Sequence, residues 1–287
     1  MKLTLDNRKK LREEIKQHCI SIKVPDANRV YFANVTDIHV GHKGFDLEAL
    51  EGLVEVVKNT PNFYIHIGGD ASNHANKGSR SSQFEENMTP REQIKGQFEG
   101  GKLVRKGLIQ IFEPIRDRIV GITDGNHNTS RLKEFNDMSS AEYFADLFGI
   151  PYLGEIALIE FVVGKRKHSY LHFIHHSGST GKKKNLNALQ DRALNWDADV
   201  HWGEHTHKDH FGRDTVIKFD RKNKTPYIRD RLYINGNSYL SWSGYAKAKL
   251  YAPNTTGARI VEMSGGAEWD IRVFERVRDF VDLVYQK

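Results

Sequence analysis

Apolar and polar positions along this chain follow two rhythms, one of about 3.6 residues and one of two, and their succession predicts its elements. Residues 5–18 are mostly charged, with Leu11 and Ile15 four apart, which predicts a solvent-facing helix within an N-terminal helical extension, 1–25. Residues 29–36 read as a buried strand ending at Asp37. Residues 46–58 place Leu47, Leu50, Val54 and Val57 on one helical face. A short apolar strand, 63–67, is stopped by Gly68-Gly69. After a polar stretch, Thr89-Pro90-Arg91-Glu92 starts a helix that runs toward Phe112, with Gly100-Gly101 as a point of interruption. A third strand spans 118–123 and a short helix 139–148.

Beyond Glu155 the period-two pattern takes over. Residues 156–163 and 168–174 read as strands joined by a hairpin tip at 164–167. A helix at 185–195 and a strand at 199–202 follow, then strands at 211–219, 227–234, 257–263 and 268–274. Strand–helix alternation followed by hairpins predicts an α/β fold of two packed sheets with helices outside. No repeat, low-complexity run or linker divides the chain, so a single domain over 1–287 is expected. Within it, 236–256 is a candidate substrate-side loop carrying Tyr239, Trp242, Tyr245 and Tyr251. Exposed, those rings could stack on bases; packing against the sheet is the plainer expectation.

Five short segments carry metal-binding groups: Asp37-Ile-His39, Gly69-Asp70, Gly125-Asn126-His127, His175-His176 and His205-Thr206-His207. Asp37, Asp70, Asn126 and His175 each follow an apolar strand, the edge at which ligand sites gather in open α/β sheets. Most of these segments alone occur readily by chance, Gly125-Asn126-His127 less so; their order and shared strand-end placement argue for one site. Oxygen and imidazole donors without thiolates suit manganese, iron or zinc rather than calcium. Asp70, after a flexible Gly-Gly, is the candidate bridge between two ions, and a two-metal site is suited to breaking phosphate esters.

In this order the segments resemble the calcineurin-like metallophosphoesterase superfamily, over about residues 31–207. His175-His176-Ser177-Gly178-Ser179 and Gly203-Glu204-His205-Thr206-His207 look most like bacterial and bacteriophage members. The resemblance implies a four-layer α/β/β/α sandwich of two mixed sheets and two divalent ions, manganese foremost, with iron or zinc as alternatives. It implies that Asp37, His39, Asp70 and His207 hold one ion, and Asp70, Asn126, His175 and His205 the other, with His175 favoured over His176. His127 would be the acid beside the metals. Three departures matter, the first being Asn128, where many members follow Gly-Asn-His with Asp or Glu. Glu204 separates Gly203 from the histidine pair, where relatives place glycine directly before it. Asn73 stands where many carry an aspartate that orients the active-site histidine, which leans toward phosphodiesterases, some of which carry asparagine there. The implied activity is hydrolysis of phosphodiesters of nucleic acid or nucleotides. A phosphomonoesterase or protein phosphatase is the alternative, as is a binding module that kept the fold without catalysis.

Composition adds little. A net charge of +6 over 287 residues favours phosphate-rich partners, nucleic acid among them, but equally fits a lysine-rich surface. The basic run in 177–184 and Arg131, four residues after His127, are candidate phosphate contacts of the same ambiguous kind. One cysteine, no secretory pattern and no apolar run of membrane-spanning length lead to the expectation of a cytoplasmic protein without a membrane partner.

Overall fold

The computed structural model describes residues 5–73, 106–125, 139–176, 189–191, 193–242, 247, 253 and 255–285. The described helices include α1 (Leu5–Lys16), α2 (Leu47–Asn59), α3 (Ser140–Phe148) and α4 (Val277–Tyr285); residues 106–112 are also helical and run into a 3-10 helix at Glu113–Arg118. The strands are β1 (Cys19–Val24), β2 (Arg29–Val35), β3 (Phe63–Ile67), β4 (Ile119–Ile122), β5 (Ile156–Val163), β6 (His168–His175), β7 (Val200–Gly203), β8 (Phe211–Asp220), β9 (Thr225–Asn235), β10 (Ile260–Ser264) and β11 (Ile271–Phe274). They form a six-stranded sheet, β1-β5-β6-β7-β9-β8, and a five-stranded sheet, β11-β10-β2-β3-β4. Both are mixed: β2, β3 and β4 run parallel, as do β6, β7 and β9, while β5–β6, β8–β9 and β10–β11 are antiparallel. Two mixed sheets flanked by helices is the α/β architecture expected.

Two elements correct the expected boundaries. The N-terminal extension is helical only to Lys16, and Cys19–Val24 is a strand pairing parallel with β5. Its apolar residues Ile20, Ile22 and Val24 recur every second position and face the inter-sheet core. The second is α4, which was not anticipated. Its Phe280 is fully buried, with edge-on contacts to Tyr31, Phe63 and Phe274 at 4.9, 5.6 and 5.2 Å between ring centres. Such contacts contribute about 0.5–1.5 kcal/mol each beyond area burial.

Local chemistry sets the helix ends. The Asp46 side chain accepts the Ala49 N–H and starts α2; Ser139 accepts the Glu142 N–H and starts α3, which stops at left-handed Gly149. Between the sheets, Phe32 meets Phe161, His172 and Trp202. The Trp202 indole donates to His172 Nδ1 at 3.1 Å, and burial pushes the imidazole pKa down to about 3, so the ring is a neutral core member. On the outer face of the larger sheet, Leu189 and Ala193 pack against Tyr233. No helix among the described residues is long and apolar enough to cross a membrane.

Candidate metal centre

The segments after β2 and β3 continue the parallel ladder past the strand ends. Gly68 N–H donates to Val35 O, Asp37 N–H to Gly69 O and His39 N–H to Asp70 O, at 2.8–2.9 Å. This carries Asp37, His39 and Asp70 together beyond the sheet edge. Segment 236–240 braces them from the other sheet: the Tyr239 N–H and the Ser238 hydroxyl both donate to Asp37 O, at 3.1 and 3.0 Å. Tyr239 is fully buried, so in the candidate substrate-side loop this ring packs, whereas Trp242 is exposed. Tyr245 and Tyr251 lie outside the described residues.

Among the described residues, eight that are not glycine have a left-handed backbone, and five of those are Asp37, His39, Asp70, His205 and His207. Each such conformation costs up to about 1–2 kcal/mol, less for Asp, and clusters of them mark sites where geometry outranks local stability. The turn places the residues and their side chains converge. Asp37, His39 and His207 form one group and Asp70, His176 and His205 another, each offering ligand atoms within 4.8 Å of one another.

In the first group, the His207 Nε2 lies 3.2 Å from Asp37 Oδ1 and 3.2 Å from His39 Nε2. Asp37 Oδ2 is held by the Thr36 hydroxyl at 2.9 Å and the His205 N–H at 3.0 Å, which leaves Oδ1 aimed at the imidazoles. Burial alone would raise the Asp37 pKa, but His207 outweighs it and brings it to about 2. In the second group, Asp70 Oδ2 is 3.5 Å from His176 Nε2 and 3.9 Å from His205 Nδ1. Burial draws the His176 pKa down, yet hydrogen bonds to Asp70 and Glu204 push it up to about 11. Two fully buried carboxylates facing imidazoles hold protons that divalent ions would displace, and the all-oxygen-and-nitrogen donor set fits a transition metal.

Of the residues the resemblance assigns, Asp37, His39 and His207 lie together, and Asp70 lies with His205. His175 is not the histidine beside Asp70; His176 is. Along β6, Tyr170 and Ile174 line the inter-sheet core. Strand alternation therefore sends His176 inward and His175 to the opposite face, where its ring stacks near Phe173 at 6.3 Å. Asn126, His127 and Arg131 lie outside the described residues, as does the basic run of 177–184. Asn73 is buried, and its N–H donates to Val40 O at 2.9 Å.

Sequence reasoning missed three supports. Gly69 is not a flexible hinge but a close approach: a Cβ there would lie 2.2 Å from His176 Nδ1 and 2.9 Å from Asp124 O. Buried Arg259 pairs with Asp209 and donates to His210 O, anchoring the turn after His207. Glu204, fully buried, accepts the His176 Nδ1–H at 3.2 Å. None carries a local sequence signal, because every partner comes from another element.

Neither a family model nor a curated protein matches this sequence. Solved structures align with most of it. One is a conserved uncharacterized protein from Streptococcus pneumoniae TIGR4 given as a predicted phosphoesterase. It is 12% identical, with 86% of this chain and 90% of that chain covered and a TM-score of 0.37. Another is wild-type Vps29 complexed with zinc from Entamoeba histolytica, 12% identical over 85% of this chain and 98% of that chain, TM-score 0.42. Vacuolar Protein Sorting 29 from Cryptosporidium parvum aligns at 12% identity over 86% and 99%, TM-score 0.41.

Proposed function

We propose that this chain is a two-metal-dependent phosphoesterase acting on phosphodiesters of nucleic acid or nucleotides. The observation that carries this reading is the pair of Asp/His groups at one sheet edge, reached from both sheets by backbone in costly left-handed conformations. Asp37, His39 and His207 would hold one ion and Asp70, His176 and His205 the other, with Asp70 shared. Asn126 would supply the remaining amide donor and His127 the acid, as the sequence resemblance implies, and Arg131, four residues after His127, would be a phosphate contact. Manganese suits this mixed carboxylate and imidazole set without thiolates, with iron and zinc as alternatives. When bound, the ions supply Lewis-acid chemistry and an activated water.

The chain's own groups set the geometry. Thr36 and the His205 N–H fix one Asp37 oxygen so that the other stays turned to His207. The net charge of +6 favours polyanionic over neutral substrates. The single cysteine, Cys19, supports a reducing, cytoplasmic setting.

A substrate panel tests the proposal: aryl monoesters and diesters, cyclic nucleotides, and single- and double-stranded DNA and RNA, each with added manganese. Manganese-dependent cleavage of diesters, with monoesters at least about tenfold slower in kcat/KM, is expected, a gap of about 1.4 kcal/mol. Preference for monoesters or phosphoproteins would overturn the substrate class. No hydrolysis of any substrate by metal-loaded protein would overturn the enzyme reading in favour of a binding module.

A further inference from the structure

Glu204 stands where a glycine directly before the histidine pair would be expected, and a carboxylate in that place has a visible consequence. Its side chain is fully buried and accepts three hydrogen bonds from three other segments. Asn34 Nδ2 on β2 donates to Oε1 at 2.7 Å, Gly69 N–H donates to Oε2 at 3.0 Å, and His176 Nδ1 approaches Oε2 at 3.2 Å. Behind Asn34, its Oδ1 faces His66 Nδ1 at 2.8 Å. The fit is tight: a Cβ on Gly68 would lie 2.2 Å from Glu204 Oε1.

We propose that Glu204 is a positioning residue that fixes the His176 ring for metal binding at the Asp70–His176–His205 group; this rests on the metal reading above. By accepting the Nδ1–H it holds His176 in the tautomer whose Nε2 lone pair faces Asp70 Oδ2, 3.5 Å away. By accepting the Gly69 N–H it also pins the peptide directly before Asp70. One carboxylate thus orients two members of a single group. The side chains of Asp37, His39 and His207 make none of these bonds, so the larger effect is expected at the Asp70–His176–His205 group.

A carboxylate rather than an amide is required by the donor count. Asn34 Nδ2, Gly69 N–H and the His176 Nδ1–H all donate, and an ionised carboxylate only accepts. Glutamine would present an NH2 group to one of them. Facing Asn34, it would force the Asn34 amide to flip; facing Gly69 and His176, it would oppose the Gly69 N–H and favour the His176 tautomer protonated at Nε2.

The test is zinc titration by calorimetry of the full chain and of Glu204→Gln, with the thermal midpoint of the metal-free protein measured alongside. Two zinc sites are expected in the natural sequence. In Glu204→Gln one site should weaken by about 10–100-fold, the usual effect of removing a carboxylate that orients a ligand histidine, and the other by much less. Two sites with unaltered affinities in the variant would overturn the proposal alone. Both sites weakening together with a lowered midpoint would also overturn it, showing a general structural role. Zinc binding at neither site in the natural sequence would overturn the metal reading and this proposal with it.

Should the variant not fold, imidazole nitrogen NMR of the zinc-loaded natural chain decides. His176 protonated at Nδ1 with Nε2 ligated supports the proposal, and the opposite tautomer overturns it.

Discussion

Asp70→Asn is expected to lower metal-dependent hydrolysis by about a thousandfold and to leave the metal-free protein less stable. The two halves have separate causes. Asp70 faces both His176 and His205, and its neighbouring peptide ladders with His39, so it sits at the junction of the two groups. Asparagine keeps the shape and tolerates the left-handed backbone at this position, φ 55°. It removes the charge that a shared ligand needs, and a loss of about 4 kcal/mol of transition-state stabilisation corresponds to about three powers of ten in rate. Without metal, Asp70 holds the buried His176 ring and raises its pKa, so neutralising it removes a partner of that imidazolium, a loss larger than the relief of repulsion with Asp37. Kinetics on a diester and a thermal melt in chelator check both halves. Unchanged hydrolysis would mean that the site is wrongly assigned.

A single methyl group at Gly69 should be nearly as damaging. Gly69→Ala would put a Cβ 2.2 Å from His176 Nδ1, on the atom that Glu204 holds, with Asp124 O blocking retreat at 2.9 Å. The ring must leave, and with it one metal group; activity is expected to fall by about a hundredfold, since small misplacements of this kind cost that much. Gly52→Ala is the matched control. Gly52 lies within α2 with nothing inside 4 Å of its added Cβ, so alanine should stabilise the protein by about 0.5–1 kcal/mol without touching activity. Equal activity in Gly69→Ala and Gly52→Ala would contradict the packing described around His176.

Much of the fold was legible because its signals are local. The runs that became β2, β3 and β4 ended within a residue or two of their expected positions, and the Asp46 and Ser139 caps start their helices. Where reading failed, a period had been present but overlooked. Ile20, Ile22 and Val24 alternate as a strand should, directly after a charged helix. Val277, Phe280, Val281 and Val284 follow the helical spacing and pack on the core.

The choice between His175 and His176 was legible by the same rule, since Tyr170 and Ile174 already fixed the inward parity of β6. Family order pointed to one histidine and strand geometry to the other. Glu204 was of a different kind. Its donors sit at positions 34, 69 and 176, so only the folded chain reveals that a carboxylate which interrupts a motif also organises it.

The central claim is that two groups of Asp and His side chains at one sheet edge each hold a divalent ion. The most direct measurement is the transition-metal content of the full chain purified without chelator, compared with Asp37→Asn and His176→Ala. The expected content is two ions per chain, one for each donor group, falling to about one in either variant. Fewer than one ion per chain in the natural sequence would contradict the claim.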